Sequence, residues 1–145
     1  MFQQDSQKPT RGQLERSLSQ CIQKLYREHL GHATGKVTCQ LMEDKLTIVI
    51  ESSLTQPEQL LLEESSLEKV EKIRADLDTI IRKKLIGLVE ETMQLQVLDV
   101  MGDTTLKTER TGFIIVLSDN PQHFMMREKS AKPQKSESWL KADSE

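Results

Sequence analysis

The residues best placed for chemistry are Asp103, Thr104, Thr105, Lys107 and Thr108, a carboxylate, three hydroxyls and an ammonium within six positions. Hydroxyls, turn amides and one ammonium together can hold a small anion such as bicarbonate or phosphate. The plainer alternative is a polar hairpin loop whose Asp and Thr side chains satisfy the local backbone. A second candidate is the pair Trp139–Leu140, an aromatic–aliphatic step in an otherwise polar C-terminal stretch. A short segment that orders on a partner needs such an anchor, so the pair is a candidate docking motif.

Other constellations fall short. His29 and His32 stand three residues apart at a helix end, but zinc wants more ligands than two, and the helix dipole accounts for histidines there. His123 falls in the presumed tail. Glu63–Glu64 and Glu90–Glu91 read as solvated helix surface. No nucleophile elbow, P-loop or dinucleotide-binding glycine motif occurs. The expectation is therefore no catalytic residue, no metal and no cofactor.

The elements that must position these residues follow from periodicity. Thr10 and Gln13 have capping-box spacing, and Leu14, Leu18, Cys21, Ile22, Leu25 and His29 recur at helical spacing until Gly31. Residues 36–42 and 45–53 alternate about Glu43–Asp44, which predicts a hairpin with one face buried. Thr55 and Glu58 repeat the capping-box spacing ahead of a short helix through Leu60–Leu62. Ser65 or Ser66 then restarts a long helix whose apolar face carries Val70, Ile73, Leu77, Ile80, Ile81, Leu85 and Leu88. Strands are expected over 94–101 and 110–118, joined by the polar connection Gly102–Glu109. The continuous apolar run Phe113–Leu117 suits a strand buried on both faces. The result is an α+β domain of order α-β-β-α-α-β-β over residues 11–118, with a four-stranded, mainly antiparallel sheet. A disordered leader at 1–10 and a disordered tail at 119–145 flank it. An uncovered sheet face or helix stripe would make a homodimer.

Composition narrows the classes of function. The net charge is −3 and no long basic run appears, which argues against a nucleic-acid partner. No apolar run approaches the roughly 20 residues a spanning helix needs, so direct membrane insertion is not expected. The polar N-terminus lacks a secretory pattern. Cys21 and Cys39 read as small buried hydrophobes in a reducing compartment. The expected location is the cytoplasm, with any membrane contact made through a partner.

Three segments carry a family resemblance: Leu25-Tyr26-Arg27-Glu28-His29-Leu30-Gly31, then Leu54-Thr55-Gln56-Pro57-Glu58, then Asp103-Thr104-Thr105-Leu106-Lys107-Thr108 before Phe113–Leu117. In order and spacing, Leu14–Leu117 resembles the MpsC-like (YbcI-like) family of small bacterial proteins. The chain departs from that pattern twice. It has Thr92-Met93-Gln94 where the family often has a glycine before the third strand, and Glu109 where it often has a glycine in the last hairpin. The loop is accordingly expected to differ in shape. The resemblance implies a non-enzymatic accessory or regulatory component, acting by protein contact on a sodium-translocating, membrane-potential-generating system tied to bicarbonate or CO2 uptake. It supplies no catalytic residues. The rival reading is a small-ligand or anion sensor using the 103–108 loop.

Overall fold

The structure, a computed structural model, describes residues 9–64 and 66–123. Helix α1 (Arg11–Leu30) starts at a complete capping box. Gln13 N donates to Thr10 Oγ1 (3.1 Å), and Thr10 N donates to Gln13 Oε1 (2.9 Å). It ends at Gly31, whose φ of 60° is the left-handed conformation that a residue without Cβ adopts at low cost. Strands β1 (Val37–Met42) and β2 (Lys45–Ile50) form the expected hairpin, its turn set by Glu43 at φ 58°. Helix α2 (Gln56–Glu64) follows the second capping box, and α3 (Leu67–Met93) is capped by Ser66. Strands β3 (Val97–Thr105) and β4 (Arg110–Leu117) close a four-stranded antiparallel sheet of order β1-β2-β4-β3. A short 3-10 turn at Pro121–His123 ends the described chain.

The α+β class and the element order hold, and five local expectations are corrected. The third strand starts at Val97 rather than at 94, because Gln94 closes α3 in the left-handed conformation. It then runs on through Thr105, so the connection shrinks to a four-residue turn, Leu106–Glu109. Strand β4 is buried on one face only. Phe113, Ile115 and Leu117 are buried while Ile114 is 45% exposed, because both long helices lie on the same side of the sheet. The buried stripe of α3 is also rotated from the expected one. It runs Val70, Arg74, Ile81, Leu85, Val89, Met93, leaving Ile73 and Ile80 outside. In α1, Tyr26 is buried, Cys21 only half-buried, and His29 exposed.

The core lies between the helices and one parity of strand residues. Leu18, Ile22 and Tyr26 of α1, with Ile81, Leu85 and Val89 of α3, meet Cys39, Leu46, Ile48, Phe113 and Ile115. Burial of that aliphatic area is the main stabilising term. Burial also pushes the Cys39 thiol above its usual range, so it sits there as a protonated hydrophobe.

Candidate functional site

The most elaborate polar arrangement surrounds Arg74, which is 3% exposed and set into the apolar stripe of α3. Its Nη1 donates to Glu58 Oε1 (2.9 Å), Glu58 Oε2 (3.2 Å) and the Ser53 carbonyl (3.4 Å). Its Nη2 donates to Thr111 Oγ1 (3.3 Å), and its Nε donates to Thr104 Oγ1 (3.4 Å) and lies 3.1 Å from Asp78 Oδ1. Glu58 does double duty. The carboxylate that accepts from the Thr55 amide and hydroxyl in the capping box (2.9 Å each) also holds the guanidinium. The local signal for a helix start thus delivers a buried counter-charge to a side chain sixteen residues on.

A hydroxyl chain completes the network. Ser53 and Thr111 hydroxyls are 2.7 Å apart, Thr111 and Thr104 hydroxyls 2.7 Å, and Thr104 donates to Asp78 Oδ2 (3.2 Å). Three hydroxyl protons suffice for a run Ser53→Thr111→Thr104→Asp78 that ends on a carboxylate, and such polarised chains strengthen each member. Two groups lack partners. Tyr26 Oη is fully buried without a hydrogen bond, and Asp78 Oδ1 sits beside Arg74 Nε at an angle that makes an ion pair but no hydrogen bond. Burial raises the Tyr26 phenol to about 12, against the lowering pull of Arg74. Burial likewise raises the Asp78 carboxyl, with Arg74 opposing and Glu58 and Asp103 adding like charge.

A cavity of about 760 Å³ opens beside this hub. Glu71, Asp78, Asp103 and Glu109 line it, against the cations Arg74 and Lys107, and Arg74 is already paired with Glu58. Leucines 62, 67 and 106 supply its apolar wall. Four carboxylates against two cations favour a hydrogen-bond-donating or positively charged group over an anion.

The sequence-predicted loop is divided by the fold. Asp103, Thr104 and Thr105 belong to β3, and only Lys107 and Thr108 stand in the turn. Asp103 Oδ1 accepts from the Thr104 amide (2.8 Å), the Thr105 and Thr108 hydroxyls bond to each other, and Thr104 turns inward to the hub. Asp103, Thr104 and Lys107 reach the cavity; Thr105 and Thr108 do not line it. Trp139 and Leu140 lie outside the described residues. His29 and His32 stay apart from Asp103. His32 Nε2 pairs with the Ser52 carbonyl (2.8 Å) beside the start of α2, and His123 sits 3.0 Å from Asp119. Glu90 is more than solvated surface, since its Oε2 accepts from the Val97 amide (2.9 Å) and pins the start of β3. Among the described residues no group of three or more His, Cys, Asp or Glu is arranged to hold a metal ion.

Sequence reasoning missed Arg74, Asp78 and Tyr26. The available signal was the spacing of Val70, Arg74, Asp78 and Ile81, which puts two opposite charges on one stripe with apolar neighbours.

A family model described as "Na+-translocating membrane potential-generating system (MpsC)" matches residues 10–119, which span all of the helices and strands above. No curated protein matches the chain. No solved structure matches it either.

Proposed function

We propose, from the premise that this chain belongs to the MpsC family, that it is a non-enzymatic accessory protein of a membrane ion-transport system. It acts from the cytoplasm, by protein contact, on a transporter of ions or of inorganic carbon, and it works as a homodimer. The observation that carries this reading is the extent of the family match, which takes in the whole described fold rather than one motif. The chemistry of the hub agrees with it. Arg74 spends its donors on Glu58, Ser53, Thr104 and Thr111, an arrangement that fixes α2, α3 and the last hairpin to one another. No helix among the described residues is long and apolar enough to cross a membrane, so contact with a transporter is assigned to a partner surface.

The test is affinity capture from gently solubilised native membranes, with the full chain compared with one ending at Ser118. Transport subunits captured by the full chain and lost on shortening would place the tether in residues 119–145, including Trp139 and Leu140. Capture by both would place it on the folded part. Capture of no membrane protein by either would overturn the reading.

A second reading, a small-ligand sensor, draws support from the cavity that Asp103, Thr104 and Lys107 line. A thermal shift with bicarbonate, phosphate or an organic amine, lost in Lys107→Ala for the anions or Asp103→Asn for the amine, supports it. No shift with any of them removes it.

A further inference from the structure

We propose that the uncovered face of the sheet is a self-association surface, on which a second copy of this chain docks about a two-fold axis parallel to the strands. The proposal rests on the dimer reading above and says which surface makes the dimer and in which orientation.

The register fixes what that face presents. Across the sheet from β1 to β3, one row reads Gln40, Thr47, Ile114, Met101, and the next reads Met42, Lys45, Val116, Asp99. Ile114 is 45% exposed, Met101 48% and Met42 65%, and Val49 and Val116 lie partly open between them. Ile114, Val116 and Met101 make an apolar patch on β4 and β3 with Val49 beside it on β2, while Met42 stands apart on β1 beyond Lys45, and no helix among the described residues lies over this face. Four strands about 4.8 Å apart give a footprint roughly 20 Å by 20–25 Å per copy. Two copies bury on the order of 1,000 Å², at the lower end of specific interfaces, which predicts a reversible dimer.

The sheet edges are partly blocked against the obvious alternative, strand-to-strand pairing. On the outer edge of β3, the amides of Val100 and Thr104 are taken by the carboxylates of Asp99 and Asp103 (2.9 and 2.8 Å), and the Gly102 carbonyl accepts from Arg82 (3.3 Å). On the outer edge of β1, the Leu41 amide is held by Glu15 (2.8 Å). Charged side chains that occupy edge groups resist pairing there, which favours the face as the surface for association.

Charge sets the orientation. The β3 flank of the face carries Asp99, with Asp103 at the same sheet edge, where it also lines the cavity. The opposite side carries Lys36 beside β1 and Lys45 on β2; Asp44 bonds to Lys45 (2.7 Å), so Lys36 carries most of the positive charge there, while Glu51 and Arg110 neutralise each other within the face (2.7 Å). A two-fold axis across the strands would stack β3 on β3, acid on acid. An axis parallel to the strands lays β1 of one copy over β3 of the other and β2 over β4, so the lysine-bearing side of each copy meets the partner's aspartate flank.

The experiment is sedimentation of the full chain from about 1 to 200 µM, a range that covers micromolar dissociation constants. Wild type is expected to pass from monomer to dimer, and Ile114→Lys to stay monomeric with an unchanged circular dichroism spectrum. Should that variant fail to fold, Ile114→Thr keeps the β-branch and takes its place. Two charge variants fix the geometry: Asp99→Lys with Asp103→Lys, and Lys36→Glu with Lys45→Glu. Each alone should dimerise at least tenfold more weakly than wild type, and their equimolar mixture should recover a heterodimer. A chain that is monomeric throughout overturns the surface, whether that face is bare or covered by residues 124–145. A dimer indifferent to Ile114→Lys overturns the face, and charge variants that do not recover on mixing overturn the orientation. A dimer that forms as described while membrane capture fails leaves the surface standing and removes only the transport function.

Discussion

The two faces of the sheet come from the same four strands and obey different rules. On the helix-covered face most buried polar groups have a protein partner, Tyr26 Oη being an exception. Thr111 is fully buried and bonded to Ser53, Thr104 and Arg74. On the open face the charges are exposed, and the Arg110–Glu51 pair stands with its side chains 55% and 38% accessible. The difference shows that alternation decides which residues point where, but coverage by helices decides what a polar residue costs.

The largest test of that difference is a matched pair of arginines. Arg74→Ala leaves Glu58 buried without its cation and should destabilise the fold by about 3–5 kcal/mol. Arg110→Ala removes an exposed ion pair and should cost no more than about 1 kcal/mol. Urea denaturation of the two variants measures both, and equal losses would erase the distinction between the faces.

The next test uses the one tyrosine in the chain, which makes its absorbance titration a report on Tyr26 alone. Native Tyr26 should ionise at about 12 and the urea-unfolded chain near 10. The unfolded state gives up its proton first. Stability from this group is therefore full below about pH 10 and is lost as pH rises through the native value. Because Tyr26 Oη has no hydrogen-bond partner, Tyr26→Phe should remove that alkaline loss and leave neutral-pH stability unchanged or slightly raised.

A matched pair of glycines is finer. Gly102 and Gly112 face opposite sides of the sheet. A Cβ on Gly102 would run into the Phe113 ring and lie 2.7 Å from the Gly112 carbonyl oxygen, whereas one on Gly112 meets nothing nearer than the Ile48 carbonyl at 3.8 Å. Gly102→Ala should cost about 1–3 kcal/mol as Phe113 and the β4 backbone at Gly112 are displaced, and Gly112→Ala about nothing. Thermal melts of both decide it.

How much of this was readable beforehand depends on range. Caps and turns are local, and Thr10–Gln13, Thr55–Glu58, Gly31 and Glu43–Asp44 were legible from residue type and spacing. The burial of Phe113–Leu117 was not, because a continuous apolar run is silent about parity until it is known which side the helices take. The hub was the least legible. Ser53, Glu58, Arg74, Thr104 and Thr111 each look like surface residues, and only the pairing of β4 with β3 and the packing of α3 bring them together. The loop read as Asp103–Thr108 failed as a unit for a related reason. An edge strand tolerates polar residues, so β3 could run on through Thr105 where composition alone reads a loop.

The smallest expected effect concerns two residues that stand outside both faces, at the ends of β3. Gln94 and Glu109 adopt φ of 58° and 59°; Glu109 is a position where the family resemblance favours glycine, and Gln94 ends the Thr92–Gln94 segment in which it favours another. The backbone there is the left-handed conformation with or without the glycine, so each side chain bears a strain that glycine lacks. They differ in what the side chain does in return. Gln94 is exposed and bonds only to the Glu91 carbonyl of its own helix end (2.8 Å), whereas the Glu109 carboxylate accepts from Gln59 (3.4 Å) and so ties the turn to α2. Gln94→Gly should therefore raise stability by about 0.5–1 kcal/mol, and Glu109→Gly by less, since it gives up that tie. A larger gain at Glu109 in chemical denaturation would mean that the tie to α2 contributes nothing, and that the last hairpin keeps its shape through the β3–β4 pairing alone.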